Sequence, residues 1–123
     1  MHMHHDPNAP ALPEISFDDF LKVDMRVGTV ISAEEYHEAR QPSLRLQIDF
    51  GPVIGIKKSI AQIKANYKAS DLIGRQVMAV VNFPPRQIGK FRSEVLTLGA
   101  PDSSGAVVLL SPDTEAPNGG RIF

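Results

Sequence analysis

The strict alternation of apolar and polar residues between positions 44 and 50 is the feature that most limits how this chain can fold. The segment "LRLQIDF" places a large apolar residue at every second position. Because successive side chains of a β-strand point to opposite faces of the sheet, this spacing predicts a strand with one buried and one solvated face. A glycine and a proline at 51 and 52 then indicate a turn, so we expect "VIGIKKSI" (53–60) to return as the hairpin partner.

Four more segments have the length and composition of short strands. They are "MRVGTVISAEEY" (25–36), "QVMAVVNF" (76–83), "SEVLTLGA" (93–100) and "AVVLLS" (106–111). In the first of them we expect the odd-numbered positions from Met25 to Ile31 to face the core. Gly28 is expected to mark a bulge or a sharp bend in the same strand.

Two short helices are also predicted. Ser16 is placed to cap a helix over "FDDFL", and Ser59 is placed to cap a second helix over "IAQIKANY" (60–67). Strands with turns every 8–12 residues favour a sandwich or a small barrel, and a helix between strands three and four is typical of the OB-fold. We therefore expect an all-β protein, a five-stranded OB-fold barrel with short helices and a C-terminal extension. In that fold the loops "EEYHEARQPS" (34–43) and "NFPPRQIGKFR" (82–92) flank the ligand face.

The net charge of −1 conceals a strongly basic middle segment. Residues 40–92 hold ten Lys and Arg against the two acids Asp49 and Asp71, which gives this segment a formal charge of +8. A basic segment in a nearly neutral chain indicates one positive face and an anionic partner such as nucleic acid. The alternative is that folding interleaves the segments and scatters the charge over the surface. The charge pattern alone leaves both alternatives open.

Residues 1–13 are expected to form a disordered leader ahead of one domain over 14–123. The segment "MHMHHDPNAPALP" has neither hydrophobic periodicity nor the apolar region of a signal peptide. A metal site at His2, His4 and His5 is disfavoured, because nothing in such a segment would fix the ligands. The chain has no cysteine, which excludes disulfides and cysteine-based zinc sites. No apolar run is long enough to span a membrane, so we expect no membrane insertion and a cytoplasmic location.

The sequence shows no catalytic signature, so we predict a binding protein without enzymatic activity, cofactor or metal. His37 is the only histidine outside the leader, and its polar surroundings favour a solvated role over a catalytic one. No GxxxxGK[ST] phosphate-binding loop occurs. Glu34, Glu35 and Glu38 could bind a hard cation, but acids in a loop usually form a solvated face.

The stretch "NFPPRQIGKFRSEVL" (82–96) mixes cations with apolar residues in one predicted loop. Its cations are Arg86, Lys90 and Arg92, and the apolar residues in question are Phe83, Ile88 and Phe91. In one interpretation, the two prolines stiffen the loop so that the cations contact RNA phosphates and Phe91 stacks on a base. In another, the apolar residues form a patch that binds unfolded polypeptide. A third is that both phenylalanines are core or interface residues, which the pattern favours for Phe83 and leaves open for Phe91.

Several longer stretches resemble a known family. "DMRVGTV", "LRLQIDFG", "IGIKKSIAQIKANY", "VMAVVNFPPRQIGKFRSEVLTLG" and "VVLLSPDTEAPNGGRIF" are similar to the tRNA-binding domain family, whose members have an OB-fold. The resemblance is greatest to its CsaA branch, which is named for a secretion chaperone. Together these stretches cover nearly all of residues 15–123, whereas the leader is not covered.

The resemblance implies a homodimer in which the chain ends cross to the partner subunit and the barrel face binds tRNA or other RNA. For the CsaA branch it also implies binding of unfolded preproteins and assistance in protein export. The positions that match the family's RNA-face motif are Asn82, Arg86, Ser93, Glu94 and the stretch Lys57–Ser59.

Two departures from the family pattern concern the same face. The usual loop HP-x-A-x-K-L reads "HEARQPSLRL" here, so Arg40 or Arg45 must stand in for the lysine, and the usual S-E-G-M reads "SEVL". Both departures favour the chaperone branch and weaken the case for shape-specific tRNA binding. The predicted RNA contacts are Arg40, Arg45, Lys57, Lys58, Ser59, Asn82, Arg86, Lys90, Arg92, Ser93 and Glu94. The predicted peptide contacts are Phe83, Ile88 and Phe91.

Overall fold

The computed structural model describes residues 6–123, and most of its regular structure is β-strand. The strands are β1 (Met25–Tyr36), β2 (Ser43–Asp49), β3 (Ile56–Ala61), β4 (Gln76–Val80), β5 (Arg86–Ile88), β6 (Phe91–Ser93), β7 (Leu96–Thr97), β8 (Gly99–Pro101) and β9 (Val107–Leu109). The helices are α1 (Phe17–Leu21), α2 (Gly51–Ile54) and α3 (Ala69–Leu72). None of these helices is long and apolar enough to cross a bilayer. The histidines considered as metal ligands, His2, His4 and His5, lie outside the described residues.

The main sheet has five antiparallel strands in the order β3-β2-β1-β4-β7. It curls so that β7 at one end approaches β3 at the other, and this curl forms the barrel. The predicted all-β OB-type architecture is therefore confirmed. The strands β5–β6 and β8–β9 form two separate two-stranded ribbons.

The core follows from the alternation in β2. Leu44, Leu46, Ile48 and Phe50 are each at most 1% exposed, as predicted. They pack in one cluster with Val30, Val77 and Leu72 from neighbouring elements. Because every second residue of β2 points inward, the residues between them are left on the outer face of the sheet.

The prediction for the buried face of β1 holds at Val27, which is 6% exposed, but it is wrong from Gly28 to Ile31. Val30 is fully buried, whereas Ile31 is 41% exposed. The pairing of β1 with β2 shifts register between Val30 and Ser32, so Ile31 is the extra residue of a β-bulge. Gly28 does not mark this bulge. It lies on the inner face, where a Cβ would stand only 2.5 Å from the Ile48 Cγ2 atom.

The predicted helix over 60–67 is also wrong. Residues 56–61 continue as β3, so Ser59 lies inside a strand and caps no helix. The helix between β3 and β4 is α3, which begins at Ala69. The periodic apolar positions in this region serve the core instead, since Ile63 is buried and Tyr67 packs against the cluster. The N-terminal helix is as predicted, with Ser16 forming a capping box with Asp19.

The C-terminal tail pairs with the first residues of β1. It lies along the same edge that β2 occupies from Thr29 onward. The Gly119 N–H donates to the Val27 carbonyl at 2.8 Å, the Val27 N–H donates to the Gly120 carbonyl at 2.8 Å, and the Ile122 N–H donates to the Met25 carbonyl at 2.9 Å. Arg26 pairs with Asp24 at 2.6 Å, and its guanidinium also donates to the Gly119 carbonyl of this tail at 3.0 Å. The strand predicted over 106–111 is shorter than expected. It is β9 (Val107–Leu109), which pairs with β8.

Substitution of Gly28 by alanine should destabilise the barrel. The new Cβ would lie 2.5 Å from Ile48 Cγ2 and 2.8 Å from the Phe50 ring, and both side chains belong to the buried core. Overpacking of this kind costs about 1–3 kcal/mol of unfolding free energy. Urea unfolding of Gly28→Ala should show a lower midpoint, whereas Ser103→Ala in an exposed turn should not. An unchanged midpoint for Gly28→Ala would contradict the close packing of β1 on β2.

Candidate nucleic-acid interface

The outer face of β1, β2 and β3 carries two rungs of directly opposed residues. One rung is Glu34, Arg45 and Ile60, and the next is Ser32, Gln47 and Lys58. Opposed residues in an antiparallel sheet have neighbouring Cβ atoms on the same face, so these side chains form one surface. The consecutive lysines divide as strand geometry requires. Lys58 belongs to the outer rung, whereas Lys57 pairs with the buried Ile48 and points to the other side.

The segment predicted as an open loop is a β-hairpin. β5 and β6 pair through Arg86–Ser93, Gln87–Arg92 and Ile88–Phe91, with Gly89 and Lys90 at the turn. Gly89 has a φ of +60°, and a Cβ there would lie 2.6 Å from the Tyr36 hydroxyl and 2.8 Å from Glu38 Cβ. The Tyr36 hydroxyl also donates a hydrogen bond to the Ile88 carbonyl. The hairpin tip is thereby fixed to the end of β1 and the loop that follows it.

Phe91 is the point at which the hairpin meets the outer face. Its ring centroid lies 5.7 Å from that of Tyr36, 5.4 Å from the Arg45 guanidinium carbon and 5.2 Å from Lys58 Nζ. Two cations at these distances from one aromatic ring are in cation–π range. A cleft of about 130 Å³ opens beside the ring. We call this the Phe91 cleft, and it is lined by Ser32, Glu34, Arg45, Leu46, Gln47 and Phe91.

The three hairpin cations do not form a single row. Arg86, Lys90 and Arg92 are all exposed. Arg86 is opposite Ser93 and Arg92 is opposite Gln87 in the hairpin, so the two arginines lie on opposite faces of the ribbon. Only Arg86 shares the face of Ile88 and Phe91. Arg40, in the loop after β1, is exposed as well.

Three of the predicted RNA contacts close the barrel. The Glu94 carboxylate accepts from the Lys58 N–H at 3.0 Å, and the Ser93 hydroxyl accepts from the Ile60 N–H at 3.0 Å. The Ser59 hydroxyl bonds to Thr97 Oγ1 at 2.8 Å and donates to the Val95 carbonyl at 3.2 Å. Ser59 is fully buried. These side chains satisfy the free edge of β3 in place of a regular strand ladder.

Asn82 and Phe83 follow the end of β4, and both are exposed. The Asn82 side chain accepts from the Asp24 N–H at 3.0 Å and donates to the Lys22 carbonyl at 2.8 Å. Its amide therefore ties the start of the hairpin to the segment after α1. Phe83 is 51% exposed, so of the core or interface position favoured for it, the core alternative is wrong and the interface alternative stays a prediction.

The carboxylates of β1 neutralise two cations of the basic segment. Glu34 pairs with Arg45 at 2.6 Å, and Glu35 pairs with Lys64 at 2.6 Å. The hydrogen bond and charge of Lys64 lower the pKa of Glu35. Among residues 6–123, the other eight cations between 40 and 92 make no such ion pair. Within the same residues, no group of three His, Cys, Asp or Glu is placed to hold a metal ion.

Sequence reasoning missed the residues that surround Phe91. Ser32, Glu34 and Gln47 were not predicted as site residues, although alternation in β2 already placed Gln47 beside Arg45 on the outer face. The position of Glu34 depends on the bulge at Ile31, which resets the alternation of β1. Tyr36 and Gly89 fix the hairpin tip to the end of β1. No local pattern in the sequence indicated this contact.

Comparison with known proteins assigns most of the chain to one family model. The model described as "Putative tRNA binding domain" matches residues 25–121. The methionine–tRNA ligase of Porphyromonas gingivalis is 36% identical over 114 residues, which is 93% of this chain. The chain spans only 16% of the length of that ligase, so the match concerns one portion of the larger enzyme.

Two solved structures resemble the chain over their whole length. The chaperone CsaA from Bacillus anthracis str. Ames has 53% sequence identity and a TM-score of 0.84, and covers 90% of this chain and 100% of its own. The CsaA chaperone protein from Picrophilus torridus has 48% identity and a TM-score of 0.82, and covers 89% and 100% respectively.

Ser93→Ala should destabilise the barrel by about 1–3 kcal/mol, because it leaves the Ile60 N–H at the edge of β3 without its acceptor. Thermal or urea unfolding measures the loss, with Ser70→Ala at an exposed position as the control. If Ser93→Ala unfolded like the wild type, the side-chain closure of the barrel would be contradicted.

Proposed function

We propose that this chain, which belongs to the tRNA-binding domain family and to its CsaA branch, binds tRNA or other RNA and has no catalytic activity. The family model covers residues 25–121, which include the whole barrel and the hairpin. Aminoacylation is not part of the proposal, because the chain corresponds to about one sixth of the ligase it matches. A cytoplasmic location is proposed with it, since that is where tRNA is used.

The surplus of unpaired cations around the outer face carries this proposal. Lys58 lies on that face, and Arg86, Lys90 and Arg92 lie on the hairpin above it. Among residues 6–123, none of the four is within ion-pair distance of a carboxylate. Single-stranded RNA binds to surfaces on which unpaired cations contact the phosphates and a neighbouring aromatic side chain stacks on a base.

Binding of unfolded preproteins, in the manner of a secretion chaperone, is the second candidate. Phe83 is exposed, and Ile88 and Phe91 pair on one face of the hairpin, so apolar surface lies beside the cations. Two solved structures that are similar to this chain are named chaperones. An apolar strip with a charged rim suits an extended polypeptide segment.

Exposed apolar residues at both chain ends support a homodimer. Phe17 is 70% exposed, Phe123 is fully exposed, and Leu12 and Ile15 also face outward. Helix α1 and the C-terminal tail are adjacent, because the Arg121 guanidinium donates to the Leu21 carbonyl at 2.7 Å. Large exposed apolar side chains on neighbouring segments favour burial against a second copy.

RNA binding is tested by fluorescence anisotropy with labelled tRNA across a salt series. We expect log K to fall steeply with log salt, and Arg86→Ala to reduce the slope by about 0.7–0.9, the value for one lost phosphate contact. Lys22→Ala removes the same charge at the end of helix α1, where Lys22 is already paired with Asp19, and should leave the slope unchanged. Undetectable binding at low salt would refute the RNA proposal. Binding of an unfolded preprotein, weakened by Phe83→Ser, would then support the chaperone alternative.

The homodimer is tested by sedimentation equilibrium at micromolar concentration. The wild type should sediment at twice the 13.5 kDa mass of the chain, and Phe17→Ser with Phe123→Ser should shift it toward the monomer. Ile73→Ser replaces another exposed apolar residue, which follows α3, and serves as the control. A monomeric wild type would rule out this part of the proposal.

A further inference from the structure

The walls of the Phe91 cleft are mostly polar, but they carry no net charge. Glu34 Oε2 lies 2.6 Å from an Arg45 guanidinium nitrogen, and these are the two charged residues among the six that line the cleft. Both remain accessible, with side-chain exposures of 57% and 41%. A phosphate placed at Arg45 would have to displace the Glu34 carboxylate or sit beside it, and like charges at such distances repel.

The cations next to the cleft have no such internal partner. Lys58 stands on the neighbouring rung, opposite Gln47, and Arg86 extends from the hairpin on the same face as Phe91. Within the described chain, neither residue pairs with a carboxylate. The charge-balanced Glu34–Arg45 pair therefore lies on one side of Phe91, and the unpaired Lys58 ammonium lies 5.2 Å from the same ring.

The interior of the cleft has the groups that bind a planar heterocycle. The Phe91 ring is held in place by Tyr36 and by the anchored hairpin tip. A ligand that binds beside it therefore pays little conformational entropy to immobilise this side chain. Around it stand a carboxylate that accepts hydrogen bonds, a guanidinium that donates them, and the Gln47 amide and Ser32 hydroxyl, which do both. Unpaired bases of RNA are recognised by stacking on aromatic rings and by hydrogen bonds to their edges.

We infer that the Phe91 cleft is a subsite for one unpaired RNA base. Phe91 stacks on the base, the Glu34–Arg45 pair hydrogen-bonds its edge, and Lys58 with Arg86, the hairpin cation on the Phe91 face, holds the flanking phosphates. Arg45 is thus a base contact and makes no phosphate contact, although its charge alone would suggest otherwise. This inference rests on the proposed RNA binding and assigns a location and a division of roles to it.

The test uses the full chain and a fluorescein-labelled single-stranded RNA of mixed sequence, titrated at several salt concentrations. Glu34→Gln with Arg45→Gln removes the ion pair without changing the net charge. We expect this double variant to bind at least about fivefold more weakly, as for a lost base contact, with an unchanged salt slope. Lys58→Gln should instead reduce the slope by about 0.7, the value for one phosphate contact on a single strand.

A matched control is available on the opposite face of the sheet. Glu35→Gln with Lys64→Gln removes an ion pair of the same 2.6 Å length and should change neither affinity nor slope. Circular dichroism melts of all variants separate a loss of contact from a loss of folding.

Three results would overturn the base subsite while leaving RNA binding intact. They are wild-type affinity in the Glu34→Gln, Arg45→Gln variant, an equal loss in the control, or a slope reduced by about 0.7 in the double variant. The last result would make Arg45 a phosphate contact. If the wild type binds the RNA with no salt dependence or does not bind it, the proposed function itself fails, and the subsite fails with it.

Discussion

The hydrogen bonds that join β3 to the segment 93–97 are the interaction on which the rest of the structure depends. Ladders of backbone hydrogen bonds connect the other neighbours in the five-stranded sheet, whereas this seam combines the backbone bond from the Glu94 N–H to the Lys58 carbonyl with side-chain bonds of Ser59, Ser93 and Glu94. N–H groups of an edge strand are costly to leave unpaired, so Ser93 and Glu94 accept from two of them and complete the barrel. They also set where the β5–β6 hairpin leaves it, and so bring Phe91 over the outer face.

Charge on the outer face is organised by the acids of β1 as much as by the cations of the middle segment. Because consecutive strand residues point to opposite faces, Glu34 neutralises Arg45 on one side of the sheet and Glu35 neutralises Lys64 on the other. The sheet therefore offers two ion pairs of equal length, of which one borders the Phe91 cleft. A simple sum of charges over residues 40–92 does not reveal this division, because the neutralising acids lie outside that segment.

Sequence reasoning succeeded where a pattern is local and regular. The alternation in β2 identified the core residues Leu44 to Phe50, and the capping box at Ser16 identified α1. It failed in β1, where Gly28 and Val30 face the core ahead of the bulge and the bulge at Ile31 then resets the alternation for Glu34. It failed again around Ser59, where spacing typical of a helix belongs to a strand followed by turns, because contacts with β2 and with the segment 93–97 override the weak local preference.

The sequence by itself determined that the fold is mostly strand, the family, and the presence of a basic middle segment with an exposed connection between β4 and β7. These features depend on neighbouring residues, whose periodicity and composition can be read directly. Only the tertiary structure decided which cations stay unpaired, that Ser93 and Glu94 bind the edge of β3, and that Tyr36, Arg45 and Lys58 surround Phe91. The contacts among these residues join positions that are far apart in the sequence. Such contacts follow from strand register and barrel closure, which local spacing does not specify.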